Sequence, residues 1–393
     1  MSANKPIKIG CLMSFAGVPG EMGLQVQDAI KLYFEQIGNK IAGRPIEAIY
    51  ENDNNSIDAA KSKLEKLVKE DQVDVVNGLL SSRMAHEVAP LADHFKVPIV
   101  SPIGASDELT QHDHPRYFLR VSWTASQSAH PFGQWVYEKL GYKRVAIVSV
   151  DYQYGWQNAG GFQRTFELAG GEVVQKLWAT MGFLDYSALM KKISPDVDAV
   201  YLISTWQASD IMAKQFREFG PKVPMIGSGA TFDDPVLELC GDDAIGAVSS
   251  FSYSAAVDTG ANKKFVAAFR AKYNQEPGLY AESGYVSAMW IAKAIESLGG
   301  NTDDKARLLD ALYKVKLDKA PRGAISLDEY GNPIQNIYVR RVDKVNGKLQ
   351  NTVIDTFTNV SQFWTWTPEA YMKEPVYDRK YRPCKTEQAQ VTK

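Results

Sequence analysis

A chain of 393 residues, 45% hydrophobic and 23% charged, is globular in composition and too long for a single hydrophobic core, so two domains are expected. A formal net charge of −2 leaves no basic field to hold nucleic acid. The apolar runs are strand-length, far short of the roughly 20 residues that cross a bilayer.

The opening, "MSANKPIKIG", carries neither the basic nor the apolar region of a signal peptide. That leaves two readings open: a cytosolic protein, or an exported one whose signal is absent from this sequence. "IKIGCLMSF" then reads as a strand and "GLQVQDAIKLYFEQIG" as a helix with Gly38 as its stop. "RPIEAIYEND" is a strand, and "SIDAAKSKLEKLVKEDQ" a helix with Ser56 as N-cap. "VDVVNGLL" is a strand, "RMAHEVAPLADHF" a helix bent at Pro90, and "KVPIVSP" a strand. This βαβαβ order predicts a parallel sheet with helices on both faces.

The rhythm restarts after about Val121. Strands are expected at "RVAIVSV", "EVVQKLWAT", "DAVYLIST", "VPMIGSGA" and "AIGAVSSFSY". Helices are expected at "WQNAGGFQRTFELAGG", "SALMKKISP" and "ASDIMAKQFREFG". Two long helices follow, broken at Pro277 and Gly278, and then the helix "DKARLLDALYKV". "GAISLDEYGNPIQNIYVRRVDKVNGKLQNTVIDTF" reads as antiparallel strands, with Asn346-Gly347 a strong hairpin turn. The ring-rich ending "SQFWTWTPEAYMKEPVYDRKYRPCK" is expected to lie ordered over a lobe, because so many exposed rings would be costly.

Catalytic signatures are absent. No GxGxxG follows the first strand, and there is no phosphate loop and no nucleophile elbow; "GSGA" at Gly227 to Ala230 does not fit one. Cys11, Cys240 and Cys384 contain no CxxC pair; Cys11 reads as a buried small hydrophobe, and Cys240 and Cys384 would pair only if the tail folded back. Among the five histidines, His112 and His114 form an H-x-H that reads as a solvated loop, since no second pair completes a metal site. "ENDNNSID" lacks the glycine and distal glutamate of a calcium loop. No metal, no cofactor and no enzymatic activity are expected.

Hydrogen-bond donors at strand ends are what the sequence does offer. Leu80, Ser81 and Ser82 close one strand, and Gly104, Ala105 and Ser106 close the next. Ligands of open parallel sheets bind at this edge, where free N–H groups favour an anion such as a carboxylate. The serines also fit a purely capping role. In the second half, Tyr152, Tyr154 and Trp156, then Trp206, Phe232 and Tyr253, follow four of its five strands. Such rings can form a wall that stacks on a flat ligand.

The segments "IKIGCLMSFAGVPGEMG", "VNGLLSSRMAHEVAPLADHFKVPIVSPIGASDELT", "YQYGWQNA" and "GPKVPMIGSG", in this order and spacing, resemble the periplasmic solute-binding proteins of the branched-chain-amino-acid type, which serve ABC importers. The resemblance covers nearly the whole chain. It implies an α/β protein of two Rossmann-like lobes with parallel sheets, the type I periplasmic-binding-protein fold, closing on ligand like a flytrap. Lobe 1 would hold residues 1–123 and 255–328, and lobe 2 residues 124–254 and 329–393 with an aromatic tail from about 360. Crossovers would lie near Ser122 to Thr124, Tyr253 to Ala255 and Leu327 to Tyr330.

By the same resemblance, Ser82 with Ser81, and Ala105 with Ser106, would hold a ligand carboxylate. Tyr154, Trp206, Met22 and Phe15 would line the ligand. Amino-acid binders of the family place an acid near the position of Gly229 to pair with the ligand ammonium. An unpaired ammonium in a dry cleft is costly, so the departure points to a carboxylate without an α-amino group. The rings favour an aromatic acid of benzoate or phenylpropenoate type, and the long tail also resembles members that take up aromatic acids. Asp233 and Asp234 keep an amino-acid ligand open. The partners implied are a small carboxylate and the membrane permease of an ABC importer, with no nucleic acid, for a monomer in the periplasm. A cytosolic ligand-sensing regulator on the same lobes is the alternative.

Overall fold

The computed structural model describes residues 5–17, 20–180, 182 and 184–383. Cys384 lies outside the described residues. In chain order the first part runs β1 (Ile7–Met13), α1 (Gly20–Gln36), β2 (Lys40–Ile41), β3 (Arg44–Asn52), α2 (Ile57–Lys69), β4 (Val75–Gly78), α3 (Ser82–Val88), α4 (Pro90–Phe95), β5 (Ile99–Ser101) and β6 (Phe118–Arg120). Next come α5 (Ala129–Trp135), β7 (Arg144–Val150), α6 (Gln153–Leu168), β8 (Glu172–Ala179), α7 (Ser187–Met190), β9 (Ala199–Ile203), α8 (Gln207–Phe219), β10 (Met225–Ser228), α9 (Asp234–Cys240) and β11 (Val248–Phe251). The chain ends with α10 (Gly260–Tyr273), α11 (Leu279–Ser297), α12 (Lys305–Lys314), β12 (Lys316–Ala320), β13 (Gly323–Leu327), β14 (Pro333–Val345), β15 (Lys348–Val360) and α13 (Pro368–Tyr371).

The chain divides into two compact units, one of residues 1–123 and 259–335, the other of 124–258 and 336–393. The second and third passages between units come later than 254/255 and 328/329. Strand β13 keeps the start of β14 in unit 1, through Ile325↔Gln335 and Leu327↔Pro333. Unit 1 holds a six-stranded sheet of order β2-β3-β1-β4-β5-β6, parallel except at the short edge strand β2. In unit 2, β11, β10, β9, β7 and β8 run parallel in that order, and β14 adds to β11 antiparallel.

Local signals account for much of this. Ser56 caps α2 by accepting from the Ala59 N–H, and Asp304 caps α12 in the same way through Ala306 and Arg307. Asn346 and Gly347 both take positive φ, as a two-residue hairpin of this hand requires. Pro90 does not bend one helix but starts a second one. It sits in the first turn of α4, where a missing N–H costs nothing. Other elements are not expected from periodicity. Strand β6 is three residues long, α5 carries Pro131 and Gly133, and α9 begins at Asp234-Pro235. Helix α7 spans four residues of the longer segment expected to be helical.

Two buried polar clusters stand out. In unit 1, Arg322 and Glu282 are both fully buried and paired, with Arg322 Nε donating to Glu282 Oε1 at 2.9 Å. Arg322 Nη1 also reaches the carbonyls of Val121 (3.2 Å) and Ser122 (3.1 Å) and Oε1 of Gln335 (2.9 Å). In unit 2 the tail packs on α5 and α6. His130 is fully buried against the rings of Trp366, Tyr371 and Tyr377, and the Arg164 guanidinium stacks 3.8 Å from the Trp366 ring. The aromatic ending is therefore an ordered part of unit 2 up to residue 383. No helix among the described residues is long and apolar enough to cross a membrane.

Candidate ligand-binding site

In unit 1 the C-terminal ends of β1, β4 and β5 meet through backbone bonds. Leu79, just past β4, donates its N–H to Leu12 O at 2.8 Å and accepts from Gly104 N at 3.1 Å. Leu79 adopts φ +75, a conformation costly for a branched side chain and found most often where a site is shaped. Gly104 tolerates no side chain, since a Cβ there would lie 2.6 Å from the Ala85 Cβ. The turn is consequently held close to α3.

Ser81 and Ser82 have different tasks. Ser81 caps α3, its Oγ accepting from Met84 N at 3.1 Å. Ser82 is buried, and its hydroxyl has no hydrogen-bond partner among the described residues. The backbone N–H groups of Ala105 and Ser106 also lack partners among the described residues. One hydroxyl and two amides at neighbouring strand ends thus remain available as donors, a set suited to a carboxylate. The Ser106 hydroxyl instead faces Glu108 at 3.4 Å. Phe15 is half-buried, edge-on to Tyr50, and Met22 is half-buried in the first turn of α1. Behind them the Ser14 hydroxyl bonds the buried Asp53 carboxyl, whose pKa burial raises.

In unit 2 the ends of β7, β9, β10 and β11 carry the rings. Tyr152 keeps part of its surface exposed, and Tyr154 is buried. The Tyr154 hydroxyl donates to Ser228 Oγ at 3.2 Å, and Ser228 and Thr231 hydroxyls lie 2.9 Å apart. Burial pushes the Tyr154 phenol up to about 12. Trp206 takes φ +44 at the start of α8, a second strained bulky residue at a strand end. Phe232 is fully buried, and a Cβ on Gly227 would lie 2.4 Å from its ring, so Phe232 serves packing inside unit 2. Tyr253 is also fully buried and offers its carbonyl to Arg340 at 2.7 Å.

The surroundings of Gly229 bear directly on ligand charge. A Cβ at Gly229 would meet the Phe251 side chain at 2.3 Å, so no carboxylate-bearing residue fits there. The Gly229 carbonyl accepts from Arg340 Nη2 at 2.9 Å, and Arg340 is fully buried. Asp233 and Asp234 are buried within the field of the same guanidinium, and Asp234 accepts from Ala255 N at 3.1 Å. Both acids are therefore engaged inside unit 2. Arg340 and the Ser228–Thr231 pair were not singled out by sequence reasoning. The available signal was an arginine at the apolar phase of β14, sharing a face with Tyr338 and Val342.

A family profile described as periplasmic binding protein matches residues 6–348. The chain belongs to the periplasmic binding protein family. A solved substrate-binding protein of an ABC transporter from Sphaerobacter thermophilus is 30% identical, with a TM-score of 0.87 over 91% of this chain and 99% of that one. A solute-binding protein of an ABC transporter from Rhodopseudomonas palustris, solved with 3,4-dihydroxybenzoic acid, is 32% identical, with a TM-score of 0.85 over 92% and 99%. Leu/Ile/Val-binding protein homolog 6 of Brucella suis is 28% identical over 362 residues, 89% of this chain and 91% of that protein.

This periplasmic binding protein therefore has the type I fold and is a substrate-binding protein of ABC-transporter kind. Among the described residues no group of His, Cys, Asp and Glu is placed to hold a metal ion. His112 is exposed, and His114 packs against Tyr330 with ring centroids 5.2 Å apart. Cys11 is fully buried with its thiol pushed up to about 12, which makes it inert. Cys240 is buried as well, and its prospective partner Cys384 is outside the described residues.

Proposed function

We propose that this protein captures a small aromatic carboxylate, of benzoate or phenylpropenoate type, in the periplasm and hands it as a monomer to the permease of an ABC importer. The observation that carries this reading is the Gly229 turn. Phe251 leaves no room there for an acid, and the Arg340 guanidinium sits on its carbonyl. An α-ammonium at that place would find the Gly229 carbonyl already taken by Arg340, with Asp233 and Asp234 held in that guanidinium's field and no carboxylate of its own, at a cost of several kcal/mol in a dry site. The ring-bearing strand ends of unit 2 and the dihydroxybenzoate held by the Rhodopseudomonas relative support the aromatic class. In unit 1, Ser82 Oγ and the Ala105 and Ser106 amides would receive the carboxylate. Capture is non-catalytic and accompanied by closure of the two units, since a ligand shifts the population toward the state it binds better.

A thermal-unfolding panel of benzoate, 4-hydroxybenzoate, cinnamate, aliphatic acids, leucine and isoleucine tests the reading. A bound acid at about 100 times its dissociation constant should add about 2.7 kcal/mol of stability. Stabilisation by leucine with none by the aromatic acids would overturn it. The second reading, an amino-acid binder, is favoured by the name of the Brucella relative.

The serine pair separates capping from binding. Ser82→Ala should weaken binding of the stabilising carboxylate by about 1–3 kcal/mol, measured by calorimetry, with little change in unfolding temperature. Ser81→Ala should show the reverse, losing about 1 kcal/mol of stability with affinity retained. Equal affinities for Ser82→Ala and the parent would remove Ser82 from the site.

A further inference from the structure

Two fully buried arginines stand outside the set of ligand-facing side chains yet touch the same turns. In unit 1, Arg120 on β6 donates from Nη2 to the Ser106 carbonyl at 2.6 Å and from Nη1 to the Trp123 carbonyl at 2.9 Å. Ser106 belongs to the turn after β5, and Trp123 is the last residue before the chain first passes into unit 2. In unit 2, Arg340 on β14 donates from Nη2 to the Gly229 carbonyl at 2.9 Å and from Nη1 to the Tyr253 carbonyl at 2.7 Å. Gly229 belongs to the turn after β10, and Tyr253 opens the segment that leads to the second passage. That segment is further held by Ala255 N to Asp234 and by Ser254 Oγ to the Asn351 carbonyl at 2.7 Å.

Each guanidinium thus has one prong on a strand-end turn and the other on a passage segment. The group is planar and rigid, so the two carbonyls it holds are kept at a set spacing and move together. A lysine in its place would offer a single point charge and no such fork. Each cation is also placed among acids of its own unit, Asp107 and Asp328 near Arg120, and Asp233 and Asp234 near Arg340. The same device occurs in both units, on strand segments "YFLRV" and "IYVRRV" that each place an aromatic and an aliphatic residue before the arginine.

We propose that Arg120 and Arg340 are positioning residues that couple the ligand-facing turns at Ala105 and Gly229 to the passages where the chain crosses between units. The proposal rests on the reading that those turns meet the ligand. It adds the route by which a bound ligand is felt at the passages. A ligand that stiffens Ser106 or Gly229 stiffens Trp123 or Tyr253 through one shared group.

The test is hydrogen exchange on the full chain of Arg120→Lys and Arg340→Lys, with and without 4-hydroxybenzoate. Without ligand, Arg120→Lys should speed exchange both at 107–110 and at 124–126, and Arg340→Lys both at 230–232 and at 254–256, with β1 and β7 unchanged. Loosening at one end only, or nowhere, overturns the coupling. With 4-hydroxybenzoate, the parent should gain protection at the passage segments. The folded variants should bind at least tenfold more weakly and lose that gain. Parent-like affinity together with parent-like protection in a folded variant also overturns the proposal, because a purely structural arginine would cost stability alone. Should Arg340→Lys fail to fold, Ser249→Ala removes the hydroxyl that Arg340 contacts at 3.1 Å and should show the same two-ended loosening at lower amplitude. Unchanged exchange in that variant would overturn the coupling in unit 2. A two-ended loosening in the variants of a parent that ignores benzoate, 4-hydroxybenzoate and cinnamate alike would sink the ligand reading and leave the coupling standing.

Discussion

Glu282→Ala is expected to destabilise the protein by about 3–5 kcal/mol, the usual cost of stranding one charge of a buried pair. Glu282 and Arg322 are both without solvent exposure. The loss leaves Arg322 charged in the interior, where its remaining partners include the Ser283 hydroxyl at 3.0 Å, Gln335 Oε1, and the carbonyls of Val121 and Ser122. These are neutral acceptors and replace only part of the carboxylate's attraction. Removing both charges in a Glu282→Met/Arg322→Met double variant should recover much of the loss, because desolvation of two ions is avoided. Recovery will be incomplete. The Val121 carbonyl loses its donor, whereas the Ser122 carbonyl keeps Gln335 Nε2 at 2.7 Å. Urea titration with full-length protein reads both variants through their midpoints. A single variant with the parent midpoint would show that the pair contributes nothing.

Acidification should loosen unit 2 through His130. Burial, and then the nearby Arg164 cation, pull this imidazole down to about 3 from its ordinary 6.5. Its Nε2 lies 2.9 Å from the Tyr377 hydroxyl, in a ring cage with Trp366 and Tyr371. The unfolded chain takes up a proton as pH falls through about 6.5, and the folded chain does not until about 3. The stability that neutral burial supplies is therefore complete above about 6.5 and declines across that window. At up to roughly 1.4 kcal/mol per pH unit, reached only below the unfolded-state midpoint, the decline from pH 6.5 to 4.5 is about 2 kcal/mol. His130→Gln preserves a polar group and cannot titrate. The parent should lose stability relative to this variant between pH 7 and 4.5, with Trp366 fluorescence reporting release of the tail. Parallel pH profiles for the two proteins would refute the assignment.

What local pattern specifies was legible. The βα alternation, the Ser56 cap and the Asn346-Gly347 hairpin each follow from residues close in sequence. So do the small-residue turns at Ser81–Ser82 and Gly104–Ser106, while the existence of two units was legible from chain length and the restarted βα rhythm. The elements that escaped are those whose local signal is weak: the three-residue β6, the proline- and glycine-bearing α5, and α9. Tertiary packing, rather than propensity, holds such segments.

By itself the sequence determined that the Gly229 position has no acid and that rings follow the strands of the second half. Only the tertiary structure decided that Ser81 is a cap while the Ser82 hydroxyl has no hydrogen-bond partner among the described residues, and that Phe251 closes the space beside Gly229. It also decided that Arg120, Arg322 and Arg340 are interior groups. The physical reason is separation along the chain. Arg340 and Gly229 are 111 residues apart, and Arg322 and Val121 201 apart. An arginine in a strand reads locally as a surface residue, and it becomes a buried clamp only when distant carbonyls converge on its fork.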